Sequence, residues 1–326
     1  MTFSAEAPSN IALIKYMGKA DPASNLPTNS SLSYTLNHLR TCVEIKEIEG
    51  DRDRWIPLRA KGYFELELSE KGQQRFLKYF NFLKSAWGIE GNFILASANN
   101  FPSDCGLASS ASSFAALTRA TFELACSRKE VPSAMKDLTQ EDLADFSRQG
   151  SGSSCRSFFS PFSLWDGKGV RELALPIETL LHSVVVVESK VKEVSSSEAH
   201  LRVAKSRLFP GRIERAEKGL QDLLSALRHS DWKAAYQICW AEFWDMHALF
   251  ESCEVPFGYM LPESLMVLRR LQQHWSHLGD GPLVTMDAGP NVHLLFREDQ
   301  RELQFKINEE LRLLDLLVYS TQEMSL

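Results

Sequence analysis

The stretch Asn99–Ala115 reads NNFPSDCGLASSASSFA and decides the predicted fold. It follows the apolar run NFILASA at Asn92–Ala98, turns at Pro102 and leads into an Ala- and Ser-rich segment of helical character. Where a strand passes through a glycine turn into a helix, the first four N–H groups of the helix lack intrahelical partners and the helix dipole adds positive charge. The stretch therefore predicts either a phosphate-binding loop or an ordinary serine N-cap that needs no ligand.

Length and composition restrict the class of protein. The chain has 326 residues, 44% hydrophobic and 24% charged, which is enough for two globular domains. A net charge of −6 argues against nucleic acid or an anionic membrane as the main partner. Met1–Ala20 has no secretory apolar core, no apolar run reaches the ~18 residues of a membrane span, and the six cysteines form no CxxC pair. We expect a cytoplasmic protein with reduced thiols.

The opening segment Ala7–Leu36 carries two lysines around a loop. It reads APSNIALIKYMGKADPASNLPTNSSLSYTL, with strand-like runs at Ile11–Ile14 and Leu32–Leu36 and a Gly/Asp/Pro/Asn loop between them. Lys15 and Lys19 bracket that loop. On the residues alone, a lysine pair beside a turn is most simply solvated.

Taken together, the opening segment and the Pro102–Ala111 stretch resemble the mevalonate diphosphate decarboxylases, a branch of the GHMP kinase superfamily. The resemblance implies that Lys15 lies near the catalytic aspartate, that Tyr16 contacts the mevalonate part, and that Lys19 binds the diphosphate. It implies that Ser109 is the candidate protein contact of Mg²⁺. The nucleotide-binding residues that it implies are Asn10, Pro102, Gly106, Leu107, Ala108, Ser109 and Ser110.

Two departures from the family pattern concern substrate charge. Met17 replaces the usual Trp of KYWGK, and Ala20 stands where an Arg commonly follows the second lysine. The loss of that charge leaves open whether the substrate carries a 5-diphosphate or a 5-monophosphate.

A small-residue run occurs in Arg148–Trp165, which reads RQGSGSSCRSFFSPFSLW. GSGS by itself is typical of a turn or linker, but here aromatic strand sequence follows it. The run is similar to the family's RxGSGSACRS, which implies that Ser153 and Arg156 bind substrate. The planar fork of arginine suits a carboxylate held by two hydrogen bonds.

The sequence changes character after the β-branched run Val184–Val187, where SKVKEVSSSE follows. We predict two domains, 1–185 and 186–326. The resemblance implies that Ser195 and Ser196 reach the substrate phosphates, whereas on the residues alone these serines equally suit the cap of the next helix. Ser197 stands where some bacterial members have Arg, a second missing cation.

The segment Leu283–Phe296 reads LVTMDAGPNVHLLF, two strand-like halves split by a turn. Asp287 comes at the strand end, and Asp-x-Gly-Pro alone is ordinary turn chemistry. The resemblance implies that Asp287 is the catalytic aspartate, because TxDAGPN is the family's signature. His247, in an aromatic helix, is predicted to be a packed structural residue.

Periodicity predicts several further elements. Apolar residues at helical spacing predict helices at Lys71–Trp87, Pro262–Leu278 and Arg297–Leu316, and alternation predicts a strand at Phe64–Leu68.

These observations predict an α+β protein with the GHMP kinase fold: a ribosomal-protein-S5-like N-terminal domain, a C-terminal α+β domain and a cleft between them. The resemblance implies an ATP-dependent carboxy-lyase that converts (R)-5-diphosphomevalonate to isopentenyl diphosphate, with Asp287, Lys15 and Arg156 as catalytic residues, ATP and Mg²⁺ as cofactors, and a homodimer. The alternatives are a phosphomevalonate decarboxylase, a GHMP-type small-molecule kinase that stops after phosphorylation, and a non-catalytic paralogue.

Overall fold

The first sheet is built around one long strand, Ser31–Ile48 (β4). The computed structural model describes residues 1–102, 109–128, 135, 137–188 and 192–321. β4 pairs antiparallel with Thr2–Ile14 (β1) along most of its length, with Asn92–Asn99 (β7) through its second half, and with Phe162–Asp166 (β8) through its first four residues. The remaining strands of this half of the chain are β2 (Lys19–Asp21), β3 (Leu26–Pro27), β5 (Arg54–Pro57), β6 (Phe64–Glu65) and β9 (Gly169–Glu172). β2 and β3 form a small ribbon of their own, and the others extend the sheet in the order β5-β7-β4-β8-β9, with β6 on β7.

Helix α1 (Glu70–Trp87) begins after a serine N-cap and ends at a glycine. The Ser69 side chain accepts a hydrogen bond of 3.2 Å from the Gly72 N–H, and Gly88 ends the helix at φ 63°. The strand predicted at Phe64–Leu68 is shorter in the structure, because the chain turns into this helix within four residues of Glu65.

Helix α2 (Ser109–Ser127) follows the loop that decided the fold prediction. Ala115, Ala116 and Ala120 are fully buried and let the helix lie close against β1 and β4, while α1 and α3 (Gln140–Gly150) pack beside it. A short 3₁₀ helix at Gly152–Phe158 continues from α3 and leads into β8.

The second sheet is antiparallel and has the order β11-β12-β10-β13. Its strands are β10 (Leu180–Val186), β11 (Leu283–Thr285), β12 (Val292–Arg297) and β13 (Leu317–Ser320). The helices of this half are α4 (Ser196–Arg202), α5 (Arg212–Arg228), α6 (Trp232–Glu251), α7 (Pro262–Leu278) and α8 (Arg301–Arg312).

Helix α7 has the predicted limits, but the predicted helix Arg297–Leu316 is too long. Arg297 belongs to β12, where it pairs with Leu180, and a 3₁₀ turn precedes α8. Helix α8 ends at Arg312, four residues before the predicted end, and Asp315 has a left-handed backbone with φ 58°.

The two-domain division stays a proposal. The boundary predicted at 185/186 falls inside β10, a strand that pairs only with strands of the second sheet among the described residues. We propose that the junction lies instead at 173–179, between the last strand of the first sheet and the first strand of the second.

The two sheets share a hydrophobic core. Ile11, Leu32 and Phe162 of the first sheet belong to the same buried cluster as Val185 and Leu294 of the second, together with residues of α5, α6 and α7. Full burial of one such side chain stabilises the fold by about 1.5–3 kcal/mol. The shared core fixes the two sheets relative to each other, so that residues following their strands can meet. Among the described residues, no helix combines the length and hydrophobicity needed to cross a membrane.

Candidate active site

The centre of the site is an ion pair between Lys15 and Asp287. Lys15 follows the last residue of β1, and Asp287 lies two residues after β11, so the shared core brings together residues that are 272 positions apart. The Lys15 Nζ lies 2.7 Å from the Asp287 Oδ1. The lysine side chain is 2% exposed and the aspartate side chain 36%, so the carboxylate is the member of the pair that is open to a ligand.

The pair holds both groups in a defined charge state. Burial alone would raise the pKa of Asp287, but Lys15, His293 and Arg156 outweigh it and lower that pKa to about 2. Burial lowers the pKa of Lys15, while the Asp287 carboxylate opposes that shift. Asp287 is therefore an ionised carboxylate at neutral pH.

A second ion pair, between Arg212 and Glu242, is buried and fixes the backbone of Lys15. The Lys15 N–H donates to Glu242 Oε1 at 2.8 Å, and the Lys15 carbonyl accepts from Arg212 Nη2 at 3.0 Å. Arg212 Nη1 also donates to Glu242 Oε2 at 3.0 Å, and the Arg212 side chain is fully buried. The sequence analysis missed Arg212 and Glu242, although a carboxylate within the aromatic run of α6 is a signal of a buried partner.

The turn that carries Asp287 is held by His247. The His247 Nε2 lies 3.2 Å from the Asp287 carbonyl oxygen, and the Gly289 N–H donates to the same oxygen at 2.8 Å. Burial, and to a smaller extent Lys15, lowers the pKa of His247 to about 4, so the neutral ring donates through Nε2. His247 is buried as predicted, and it also positions the aspartate.

Arg156 is buried beside this pair, on the 3₁₀ helix. Its Nε donates to Asn10 Oδ1 at 3.2 Å and its Nη1 to Ser31 Oγ at 2.9 Å. Asn10 in turn donates to Ser157 Oγ at 2.8 Å. The side-chain oxygen of Asn10 therefore holds Arg156. The predicted role of Asn10 in nucleotide binding stays a prediction.

A cavity of about 190 Å³ is lined by Tyr16, the residue that follows Lys15, and by several other predicted residues. Of the residues predicted to bind substrate or nucleotide, those that line it are Tyr16, Lys19, Ser110, Ser153, Ser195 and Ser196. The Tyr16 ring packs at 4.8 Å from Trp165 and 4.1 Å from His200, measured between ring centroids. Arg75, Ser197 and His200 also line the cavity and were not predicted there.

The glycines of the GSGS run allow this close packing. A Cβ on Gly152 would lie 2.8 Å from Tyr16 Cε1, and a Cβ on Gly150 would lie 2.3 Å from Phe114 Cδ1. Both distances are shorter than real Cβ contacts, so glycine is required at each position.

Family comparisons agree with this geometry. A family model described as the diphosphomevalonate decarboxylase-like N-terminal domain matches residues 7–172, and one described as the mevalonate 5-diphosphate decarboxylase C-terminal domain matches residues 183–312. The chain belongs to the diphosphomevalonate decarboxylase family. The predicted family is therefore confirmed.

Relatives of this family match over most of the chain. The diphosphomevalonate decarboxylase of Schizosaccharomyces pombe is 31% identical over 92% of this chain and 80% of its own. The structure of a mevalonate diphosphate decarboxylase from Legionella pneumophila is 46% identical, with a TM-score of 0.90 over 98% of this chain and 100% of that chain. The structure of MDDEF in complex with MVAPP, AMPPCP and magnesium is 28% identical, with a TM-score of 0.84 over 98% and 97%. The predicted α+β GHMP kinase fold is confirmed.

Of the stretch that resembles the family's phosphate loop, the structure describes the two ends. Ser109 begins α2, Ser110 lines the cavity, and Pro102 precedes the loop. Gly106, Leu107 and Ala108 lie outside the described residues.

Ser195 has the capping role that the sequence left open. Its side chain accepts a hydrogen bond of 3.2 Å from the Glu198 N–H at the start of α4. Because it also lines the cavity, the cap does not exclude contact with a ligand. The substrate-binding roles of Ser195 and Ser196 stay predictions.

Proposed function

We propose that this chain is an ATP-dependent decarboxylase that converts (R)-5-diphosphomevalonate to isopentenyl diphosphate, ADP, phosphate and CO₂. The observation that carries the proposal is the Lys15–Asp287 ion pair of 2.7 Å, whose partly exposed carboxylate interacts electrostatically with His200, a residue of the cation-lined cavity. The names of the relatives support the substrate, and so does the bound MVAPP of a neighbour with a TM-score of 0.84.

Asp287 is the proposed group that orients the C3 hydroxyl and accepts its proton. An anionic acceptor is needed at that atom because the hydroxyl oxygen attacks a phosphoryl group. With a pKa near 2, Asp287 is a weak base, and its contribution is mainly to hold the hydroxyl in line. The same negative charge stabilises positive charge that develops at C3 when the phosphate departs.

Lys15 keeps that carboxylate ionised and in place. Its ammonium takes one carboxylate oxygen, Oδ1, and leaves Oδ2 for the substrate hydroxyl. The lysine is fixed through its own backbone, so the carboxylate direction is set before substrate arrives.

Arg156 is the proposed partner of the C1 carboxylate, the group that leaves as CO₂. Its Nε and Nη1 are held by Asn10 and Ser31, and among the described residues no hydrogen bond engages Nη2. The guanidinium is thereby fixed with a donor left for a ligand, which aligns the breaking C1–C2 bond.

The residues present fit a bound nucleotide. The first turn of α2 has no acidic side chain, its N–H groups lack intrahelical partners, and Ser110 faces the cavity.

No group of three His, Cys, Asp or Glu side chains able to hold a metal occurs in the described ranges, which suits an ion held largely by phosphate oxygens and water with Ser109 as the proposed protein contact. ATP supplies the phosphoryl group that makes the C3 oxygen a good leaving group, and Mg²⁺ balances phosphate charge.

The deciding experiment follows ADP and CO₂ in parallel, with purified protein, ATP and either mevalonate 5-diphosphate or mevalonate 5-phosphate. The proposal expects both products in equal amounts with the diphosphate. ADP without CO₂ would establish the kinase alternative, and preference for the monophosphate would establish the phosphomevalonate alternative. Absence of both products with both substrates would favour a non-catalytic protein.

We also propose a homodimer and a cytoplasmic location. The dimer rests on the family resemblance, and the exposed side chains of Phe305 in α8, Leu313 just after it and Leu317 in β13 offer apolar surface for it. Light scattering after gel filtration tests the dimer, and a mass near 36.9 kDa would contradict it. The location rests on the scattered cysteines, and cell fractionation tests it.

A further inference from the structure

His200, on helix α4, brings a hydrogen-bond donor to the cavity wall. The Gly18 N–H donates to His200 Nδ1 at 3.2 Å, so the neutral ring carries its proton on Nε2. Within the described ranges, no group of the protein forms a hydrogen bond with that Nε2, and His200 lines the cavity. The Nε2–H is therefore available to a ligand.

The ring of His200 is held in one orientation. Its centroid lies 4.1 Å from that of the Tyr16 ring, with 31° between the two planes. Tyr16 is itself enclosed, by Trp165 at 4.8 Å between centroids and by the backbone of Gly152, where a Cβ would lie 2.8 Å from the tyrosine ring. Since Gly18 also occupies Nδ1, the direction of the Nε2–H is set before a ligand arrives, which lowers the entropic cost of binding.

His200 is neutral although charged groups act on it. Burial, together with the charges of Lys19 and Arg156, lowers the pKa of His200 to about 3, and the Asp287 carboxylate opposes that shift. Protonation would also remove the acceptor for the Gly18 N–H, because both nitrogens of a charged imidazole are donors. A cation at this position would attract the Asp287 carboxylate and compete with the substrate hydroxyl for it. A neutral donor binds an oxygen without that competition.

His200 interacts electrostatically with both ends of the proposed substrate site. Lys19 is the proposed contact of the phosphoryl end and Asp287 that of the C3 hydroxyl, and the charges of both act on the His200 ring. In a 5-phosphorylated mevalonate, the atoms that connect these two ends are C4, C5 and the ester oxygen at C5. The ester oxygen is the hydrogen-bond acceptor of this connecting part.

We propose that the Nε2–H of His200 donates a hydrogen bond to the ester oxygen at C5 of the substrate, an inference that rests on the proposed function. The contact recognises a phosphate ester and rejects an analogue with carbon in place of that oxygen. His200 is thus a binding residue that fixes the middle of the substrate while Asp287 holds its C3 hydroxyl.

Two substitutions separate a ligand contact from a structural role. His200→Asn places an amide oxygen near the position of Nδ1, so it keeps an acceptor for Gly18 but has no donor at Nε2. His200→Gln places its amide nitrogen near the position of Nε2, so it keeps the donor for the ligand. Both variants lose the ring that packs on Tyr16. His229→Asn, at an exposed position, is the control.

The measurement is calorimetric binding of mevalonate 5-diphosphate without nucleotide. A hydrogen bond between neutral groups contributes enough that its loss weakens binding about 3- to 10-fold. We expect that loss with His200→Asn, a much smaller loss with His200→Gln, and none with His229→Asn. Equal losses in the two His200 variants, or a larger loss with His200→Gln, would show that only the ring or the Gly18 contact matters and would overturn the proposal.

An analogue in which a methylene group replaces the ester oxygen at C5 identifies the acceptor. Wild-type protein should prefer the diphosphate ester over this analogue by a factor about 3- to 10-fold larger than His200→Asn does. The same preference in both proteins would show that the donor does not reach the ester oxygen. Failure of the wild type to bind either ligand would also overturn the contact. Binding that depends on His200 as expected, without release of CO₂ in the presence of ATP, would refute the proposed reaction and leave the contact in place.

Discussion

Arg212 donates a hydrogen bond of 3.0 Å to the carbonyl oxygen of Lys15, so a fully buried guanidinium on α5 sets the backbone that carries the proposed catalytic lysine. Glu242 completes this arrangement by pairing with Arg212 and accepting the Lys15 N–H. The three residues link β1, α5 and α6 beneath the site.

Replacing the Glu242 carboxylate should therefore lower the free energy of unfolding. Glu242→Gln leaves the Arg212 charge without its main partner in a buried site, and breaking a buried ion pair costs about 3–5 kcal/mol. Asp245 still contacts Arg212 at 2.7 Å, which places the expected loss near the lower end of that range. Urea denaturation followed by circular dichroism measures it. Glu251→Gln, at an exposed position of the same helix, is the control, and equal midpoints for the two variants would contradict the prediction.

Particular residues show how far the sequence alone could reach. Asp287 and Lys15 were predicted because motif resemblance named them, whereas their spacing of 272 residues carries no information about contact. Arg212 could not be predicted, because its key partner is a backbone oxygen 197 residues away. Arg75 lay on a helix whose periodicity correctly predicted packing, but the Phe114 ring and the Gly150 carbonyl, which direct its side chain, become neighbours only in the folded chain.

Buried histidines should make the fold less stable in mild acid. His38 Nε2 lies 3.1 Å from His182 Nδ1, and His182 Nε2 lies 3.1 Å from His293 Nδ1. Burial lowers the pKa of His38 to about 4 and that of His182 well below its usual 6.5, the latter also through its two histidine neighbours. The unfolded chain binds these protons first as the pH falls, so stability is full above about pH 6.5 and is lost between about 6.5 and 4. Each such histidine contributes up to about 1.4 kcal/mol per pH unit in that window.

The comparison of His182→Gln with His229→Gln isolates this effect. Unfolding free energies are measured by urea denaturation at pH 7, 6 and 5. We expect the loss of stability on acidification to be smaller in His182→Gln than in the wild type, and unchanged in the exposed His229 control. A pH slope that is the same in all three proteins would rule out His182 as a source of acid sensitivity.

Arg156→Lys should lower turnover without weakening ATP binding. Lysine keeps the positive charge, but it cannot reproduce the planar fork that Asn10 and Ser31 hold, so the departing carboxylate is less well aligned. The loss of one charged hydrogen bond predicts a fall of about 10- to 100-fold in kcat. Arg171→Lys, at a surface ion pair with Asp166, is the control. A turnover number close to wild type in Arg156→Lys would remove Arg156 from the proposed reaction.

Asp287→Asn should lower ADP release and CO₂ release together. Asparagine has nearly the same shape, so the turn held by His247 and Gly289 remains and nucleotide binding should persist. What the substitution removes is the negative charge that holds the C3 hydroxyl in line and accepts its proton, and the loss of such a positioned acceptor lowers the rate by up to about 10²–10⁴-fold. Both products fall because phosphorylation precedes decarboxylation.

The measurement is parallel ADP and CO₂ assays on Asp287→Asn, with nucleotide binding confirmed separately and Asp222→Asn, at an exposed ion pair of α5, as the control. Lys15 loses its counter-ion in this variant, and because burial already lowers the lysine pKa, the ammonium releases its proton more readily than in the wild type. A deprotonated lysine is a neutral amine, so raising the pH does not restore a negative charge at this position. Phosphoryl transfer at the wild-type rate with CO₂ release abolished would show that Asp287 acts only in the second step, through its charge near C3.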